Sequence, residues 1–181
     1  LQDAGDVDER TFPIFATRQD QIVHALKSLS NMGVRDLGAI YATPQDYALQ
    51  HDGVERTAAA LQLRLQSFQN AGDARDLGQR LNPGTPAILL FVGGTPELAR
   101  FTQGLEKQSR QRYLVALADV NLQTLMQMGA ARNTPVISTQ PVPMVTASLP
   151  VVRAYRDVLG RLFDEPPSPL SLAGFLAARY T

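Results

Sequence analysis

Three continuous apolar runs constrain this chain more than anything else in it: Leu37–Ala42 (LGAIYA), Pro86–Val92 (PAILLFV) and Tyr113–Ala118 (YLVALA). None of them alternates polar with apolar residues, as a strand with one wet face does. A strand that is apolar on both sides has to be covered on both sides, and parallel sheets flanked by helices are where such strands occur. Helix-forming sequence follows each run. Thr43-Pro44 starts a helix that runs to about Leu61, and Thr95-Pro96-Glu97 starts another to about Ser109. A third covers Asn121–Met128, with Gly129 after it. At the second start, Thr95 is expected to cap, Pro96 has its φ preset, and Glu97 faces the positive end of the helix dipole.

Weaker signals fill the gaps. Leu63, Leu65 and Ser67 alternate with Arg64, Gln66 and Phe68, the period of a strand. Val136–Thr139 reads as a last short strand. Asp73–Leu81 is a short helix ended by Asn82-Pro83-Gly84. Arg18–Met32 carries an apolar stripe at Ile22, Val23, Leu26 and Leu29, and Gly33 closes it. Strands and helices therefore alternate from Leu37 to Thr139. The fold class expected is α/β, an open parallel sheet with helices on both faces and right-handed crossovers.

The flanks differ. Residues 1–10 (LQDAGDVDER) read as a mobile lead-in, and Thr11–Thr17 as an extended entry into an α/β lobe spanning 11–140. Residues 141–150, with Pro141, Pro143 and Pro150, read as a linker. Residues 151–181 hold two further helices, Val151–Phe163 and Leu170–Tyr180, split by Asp164–Pro169 (DEPPSP). No strand follows them, so they stand outside the βα pattern. The chain starts at Leu1 without a signal-peptide pattern and stops inside helical sequence, so it reads as a piece of something longer.

Composition removes several functions. The 181 residues carry 17 basic and 17 acidic side chains, a balance that argues against a non-specific nucleic-acid binder, which needs a basic face. No cysteine is present, which excludes disulfides, thiolate metal sites and thiol nucleophiles. Two histidines without cysteines are poor material for zinc. The longest apolar run falls far short of the roughly 20 residues of a membrane helix. There is no G-x-G-x-x-G, P-loop, G-x-S-x-G elbow or H-E-x-x-H. The two lysines, Lys27 and Lys107, lie in predicted helices rather than at strand ends, as a phosphoacceptor receiver domain would need. No catalytic apparatus, metal or cofactor is expected.

Ligands of open parallel sheets bind beyond the carboxyl ends of the strands. That rule selects Tyr41, Ala42, Thr43, Pro44 and Tyr47 after the first strand, Gly93, Gly94 and Thr95 after the strongest one, Asp119 after the next, and Gln140 and Pro141 after the last. The glycine pair either lets a ligand approach the backbone or turns a tight loop. Asp119 either accepts from a ligand ammonium or caps the following helix. Tyr47 either presents its ring to a ligand or packs. His24 and His51 read as surface histidines, and Met126 and Met128 as packing residues.

The order of these segments resembles the type I solute-binding proteins of bacterial ABC transporters, the leucine/isoleucine/valine-binding kind. Thr11–Thr17 followed by Gln19-Asp20-Gln21 is similar to the family's crossover and the helix after it. Met32–Tyr41 is similar to its next strand, and Asp46-Tyr47 to the polar-tyrosine pair beyond. Gly93–Glu97 is similar to its ligand loop, and Met128–Arg132 through Gln140–Pro143 to its return strand. Val152–Leu162 and Ser168–Arg179 are similar to its last two helices. The resemblance implies a two-lobed receptor that closes on a small molecule, of which this chain is mainly the second lobe. The last two helices would belong to the other lobe, or pair between chains.

Carried over by position, the ligand residues are Tyr47, Thr95 and Ala118 or Asp119. Ala48 stands where the family favours glycine, and Thr95 where it favours an aromatic. The resemblance further implies a periplasmic location, a membrane permease as partner, and an amino acid or similar small carboxylate as ligand. A ligand-sensing domain of a signalling receptor is the alternative within this fold; an α/β enzyme or receiver domain is the alternative outside it.

Overall fold

A computed structural model of the chain describes residues 17–139 together with Arg153, Ala154, Arg156 and Asp157. The expectations for residues 1–10, for the crossover before Thr17 and for the linker 141–150 lie outside the described residues. Of the helices expected after Pro150, the four described residues are helical. Arg18–Thr139 makes one compact unit.

The elements alternate as the apolar runs require. They are α1 (Arg18–Asn31), β1 (Asp36–Tyr41), α2 (Pro44–Ala60), β2 (Arg64–Gln69), α3 (Ala74–Arg80), β3 (Ile88–Val92), α4 (Thr95–Leu105), β4 (Tyr113–Ala116), α5 (Leu122–Gln127) and β5 (Val136–Ser138). The five strands form one parallel sheet in the order β2-β1-β3-β4-β5. Gly38–Tyr41 of β1 pair with Leu89–Val92 of β3, and Asp36–Tyr41 pair with Arg64–Gln69 of β2. The chain winds outward from β1 to β2, then returns to the other side of β1. This leaves a topological switch between β1 and β3, where the loops beyond the strands diverge.

Side-chain alternation splits the core into two layers. Leu37, Ala39 and Tyr41 of β1, with Leu90 and Val92 of β3, pack under Ile22, Leu26 and Leu29 of α1 and Val54 and Ala58 of α2. Ile40 of β1, with Leu89 and Phe91 of β3, packs against Leu98, Phe101 and Leu105 of α4 and Leu125 beyond. This is why the central runs show no polar alternation: both faces are under helices. The edge strand β2 is half exposed, which is why it alone alternated in the sequence. Truncating a fully buried side chain such as Leu26 to alanine costs about 2–5 kcal/mol at sites of this kind.

Two glycines set the closest helix crossing. A Cβ on Gly78 would collide with the Phe101 carbonyl, and one on Gly104 with the Arg75 carbonyl, so α3 and α4 meet backbone to backbone. Gly33 ends α1 at φ +90°, the left-handed cap its position predicted.

At the amino end of the sheet, buried Arg112 enters the α3–β3 loop. It donates to the carbonyls of Thr85, Pro86 (2.9 Å) and Asn82 (3.1 Å). Arg110 donates to Pro83 and Thr85 beside it. Burial, and then the neighbouring Arg110 charge, push the Arg112 guanidinium below its ordinary value. No described helix is long and apolar enough to cross a membrane.

Candidate functional site

The loops beyond β1, β3 and β4 and the start of α1 gather at the carboxyl end of the sheet. Each is fixed by local chemistry. Ala42 donates its N–H to the Val92 carbonyl (2.9 Å), which carries the sheet one step past β1. Buried Asn70, just after β2, donates to the Ala42 carbonyl (3.1 Å) and to Gly72 (2.7 Å). Thr43 is the N-cap of α2. Its hydroxyl accepts from the Asp46 N–H (3.1 Å) and donates to Asp46 Oδ2 (2.6 Å). With Pro44 at the helix start, this pins Asp46 in the first turn.

Asp46 then uses its second oxygen. Arg18 Nη1 donates to Asp46 Oδ1 at 3.1 Å, and Arg18 Nη2 donates to Asp119 Oδ2. One guanidinium therefore joins the starts of α1 and α2 to the turn after β4. The three side chains are mostly buried, at 19% exposure for Arg18 and 14% for each aspartate. Gln21, one helical turn further, is buried at 3%. Its Oε1 accepts from the Ala118 N–H (2.9 Å) and the Thr139 hydroxyl (3.1 Å), which ties α1 to the ends of β4 and β5.

The expected site residues divide into groups. Thr95 does not cap its helix. Gly94 is the N-cap, one residue earlier, and no side chain caps it; Thr95 Oγ1 instead accepts the Asn121 N–H at 2.9 Å. That bond joins the Gly93-Gly94-Thr95 loop to the region of Ala118 and Asp119. Asp119 does not cap α5 either, because Asn121 does so through Thr124 (3.0 Å). Asp119 is held by Arg18, a role that neither sequence reading offered. Gly93 is required by packing: a Cβ there would collide with the Ala42 methyl. Gly94 lies under the Glu97 side chain, so the α4 N-terminus already has a carboxylate from its own first turn.

Tyr47 packs within the first turns of α2 and against the end of β1. Its ring meets Tyr41 edge-on at 5.2 Å and His51 at 4.3 Å, and it packs on the core layer under α1 and α2. His51 sits beside Asp52 (3.2 Å) and Glu55 (3.4 Å). Tyr41 is fully buried, and burial raises its phenol above the ordinary tyrosine value, with Ser67 alongside pulling it back in part. The Ser67 hydroxyl donates to Glu55 (2.8 Å), and the Tyr41 hydroxyl has no hydrogen-bond partner. Met126 and Met128 are exposed. No group of three or more metal-binding side chains occurs among the described residues.

Sequence reasoning missed Arg18 and Gln21. The signal for Arg18 was present: a cation at the first position of a helix opposes the dipole and needs an anion from elsewhere. Gln21 gave no signal, since it adjoins the apolar stripe at Ile22.

A groove of about 500 Å³ lies elsewhere, lined by Leu122, Leu125, Met126, Ala130, Pro135 and Val136. It runs along the sheet edge beside the start of β5, away from the strand ends described above.

No protein-family model matches the chain, and no curated protein sequence does. Solved structures do. An extracellular ligand-binding receptor from Verminephrobacter eiseniae superposes at TM-score 0.73 and 18% identity, over 93% of this chain and 50% of its own. The chain has the type I periplasmic-binding-protein fold. A substrate-binding periplasmic protein from Ralstonia solanacearum matches at TM-score 0.68 and 22% identity, over 96% and 51%. An ABC transporter substrate-binding protein from Desulfitobacterium hafniense, in complex with Leu, matches at 0.68 and 16%, over 91% and 48%. The chain spans about half the length of the structures it matches, and the sequence resemblance pointed to the same fold.

Proposed function

We propose that this chain is the second lobe of the substrate-binding component of an ABC transporter. It captures a small carboxylate, an amino acid or organic acid, when two lobes close about a hinge. The observation that carries the reading is the built polar face at the carboxyl ends of β1, β3 and β4. Three separated segments converge there on Arg18, and Thr95 braces the loops beside it. This is where an α/β sheet of this order binds ligands. The likeness to substrate-binding proteins supports it.

In this reading Thr95, Gly94, Ala118, Asp119 and Tyr47 line or support the cleft. Residues 11–140 form the lobe, 141–150 cross back, and 151–181 belong to the other lobe. The protein works in the periplasm and delivers its ligand to a membrane permease. No bond of the ligand is made or broken.

A thermal-shift screen of the full protein against amino acids and organic acids tests the reading. A ligand at 100 times its Kd stabilises the bound state by about 2.7 kcal/mol, which moves the melting temperature by several degrees. A panel in which no compound shifts the transition would leave the proposal without its ligand.

A further inference from the structure

The amino end of the sheet gathers cations that the fold leaves without a counter-charge. Arg110 and Arg112, both just before β4, donate through Nη1 to the same Thr85 carbonyl, so their guanidinium groups are neighbours. Burial and then the Arg110 charge hold Arg112 below its ordinary value, as a like charge close by must. Arg35, just before β1, lines with Arg110 a cavity of about 430 Å³ at the amino ends of β1, β2 and β3. Among the described residues no carboxylate pairs with Arg35, Arg110 or Arg112. Asp36, an acid on the cavity wall, is engaged by Arg64 at 2.8 Å. The surplus charge here is positive, and like charges held together cost stability until an anion meets them.

We propose that this cavity binds a phosphate-type oxyanion, carried by a free small molecule or by a lipid headgroup. The site lies at the opposite end of the sheet from the face that captures ligand and does not depend on that reading. Arg35 is anchored through Nη1 to the carbonyls of Ser30 (3.2 Å) and Val34 (2.9 Å), and Arg110 through Nη1 to those of Pro83 and Thr85. A guanidinium has five N–H donors, so anchoring one nitrogen fixes the group and leaves others for the cavity. Two forks fixed in advance, from separate loops, suit a phosphate that accepts from both. Gln66 on the same wall adds an amide donor. Arg112 is buried and its donors go to carbonyls, so it contributes charge rather than a contact. A multiply charged oxyanion gains more from this surplus than acetate or chloride does.

The test is isothermal titration of the full protein with inorganic phosphate, acetate and chloride at constant ionic strength, alongside flotation with vesicles of phosphatidylglycerol or of phosphatidylcholine. Phosphate is expected to bind at least tenfold more tightly than acetate or chloride. Arg110→Met and Arg35→Met should each weaken it at least fivefold. Arg132→Met removes an exposed arginine from the groove beside β5 instead, and should change binding less than twofold. Should Arg110→Met fail to fold, Arg35→Met decides. Flotation with phosphatidylglycerol alone, lost in the same two variants, would support the proposal with a lipid as the source. Phosphate binding without flotation would support it with a free anion. Equal affinity for phosphate and chloride, or an equal loss in Arg132→Met, would show general charge attraction and overturn the proposal. Absence of binding to phosphate and to phosphatidylglycerol would overturn it as well, and each of these failures leaves ligand capture standing.

Discussion

The two ends of the sheet each hold a mostly buried arginine, and they hold it differently. At the amino end, Arg112 donates to the carbonyls of Asn82, Thr85 and Pro86, and its partners are backbone. At the carboxyl end, Arg18 donates to the side chains of Asp46 and Asp119, which come from separate elements. Carbonyls of a tight loop have one arrangement available, so Arg112 works as a fixed cross-link. Carboxylates on the first turn of a helix and in a loop can exchange partners, so Arg18 sits in a place where chemistry can compete with it. One arginine is a fixed cross-link, and the other lies on the face we propose meets a ligand.

The largest effect should come from the fixed end. Arg112→Met leaves three carbonyls to find new partners in a buried place, and each unmet group costs about 1–3 kcal/mol. We expect a loss of about 3 kcal/mol or more in urea unfolding, with ligand preference untouched. A loss under about 1 kcal/mol would mean that water serves the carbonyls as well as Arg112 does, and the contrast between the ends would fail.

Arg18→Met comes next. It strands two mostly buried carboxylates, so a comparable loss of about 3 kcal/mol is expected in urea unfolding. Thr95→Val removes the acceptor of the Asn121 N–H while keeping the shape. We expect about 1 kcal/mol of destabilisation by denaturant unfolding, and faster amide exchange at Asn121.

The smallest effect belongs to Tyr41, at the end of β1. Its hydroxyl is buried without a partner, so Tyr41→Phe should be neutral or stabilising by up to about 1 kcal/mol. Alkali separates the two proteins. Burial raises the folded-state value of the phenol, so the unfolded chain releases the proton first. The stability this group contributes is complete below the ordinary tyrosine value near 10 and falls as pH rises past it. Urea midpoints at pH 8 and pH 10.5 should diverge for wild type more than for Tyr41→Phe; equal changes would show the phenol to be in contact with water.

Much of the fold was legible because burial on both faces leaves a direct trace. Leu37–Ala42, Pro86–Val92 and Tyr113–Ala118 could only be covered strands, and the half-polar Leu63–Phe68 marked an edge. The site was less legible because its bonds are long-range. Thr95 was read as a cap because a threonine before proline at a helix start usually is one. Gly94 has the extended backbone of the cap position (φ −86°, ψ 177°), which frees the Thr95 hydroxyl to reach Asn121, 26 residues on. Asp119 was left between a ligand role and a capping role, since local sequence holds no trace of a partner 101 residues away. The glycine pair was open between ligand approach and a tight turn, and neither reading anticipated that a Cβ on Gly93 would meet the Ala42 methyl.

Hydrogen–deuterium exchange of the full protein, with and without a ligand found by the thermal screen, tests the central claim most directly. If the carboxyl end is the ligand face, bound ligand should slow exchange at 42–47, 93–97 and 117–121 and leave 82–86 and 110–112 unchanged. Protection concentrated at 82–86 and 110–112, or along the groove beside β5, with none at the strand ends, would contradict it.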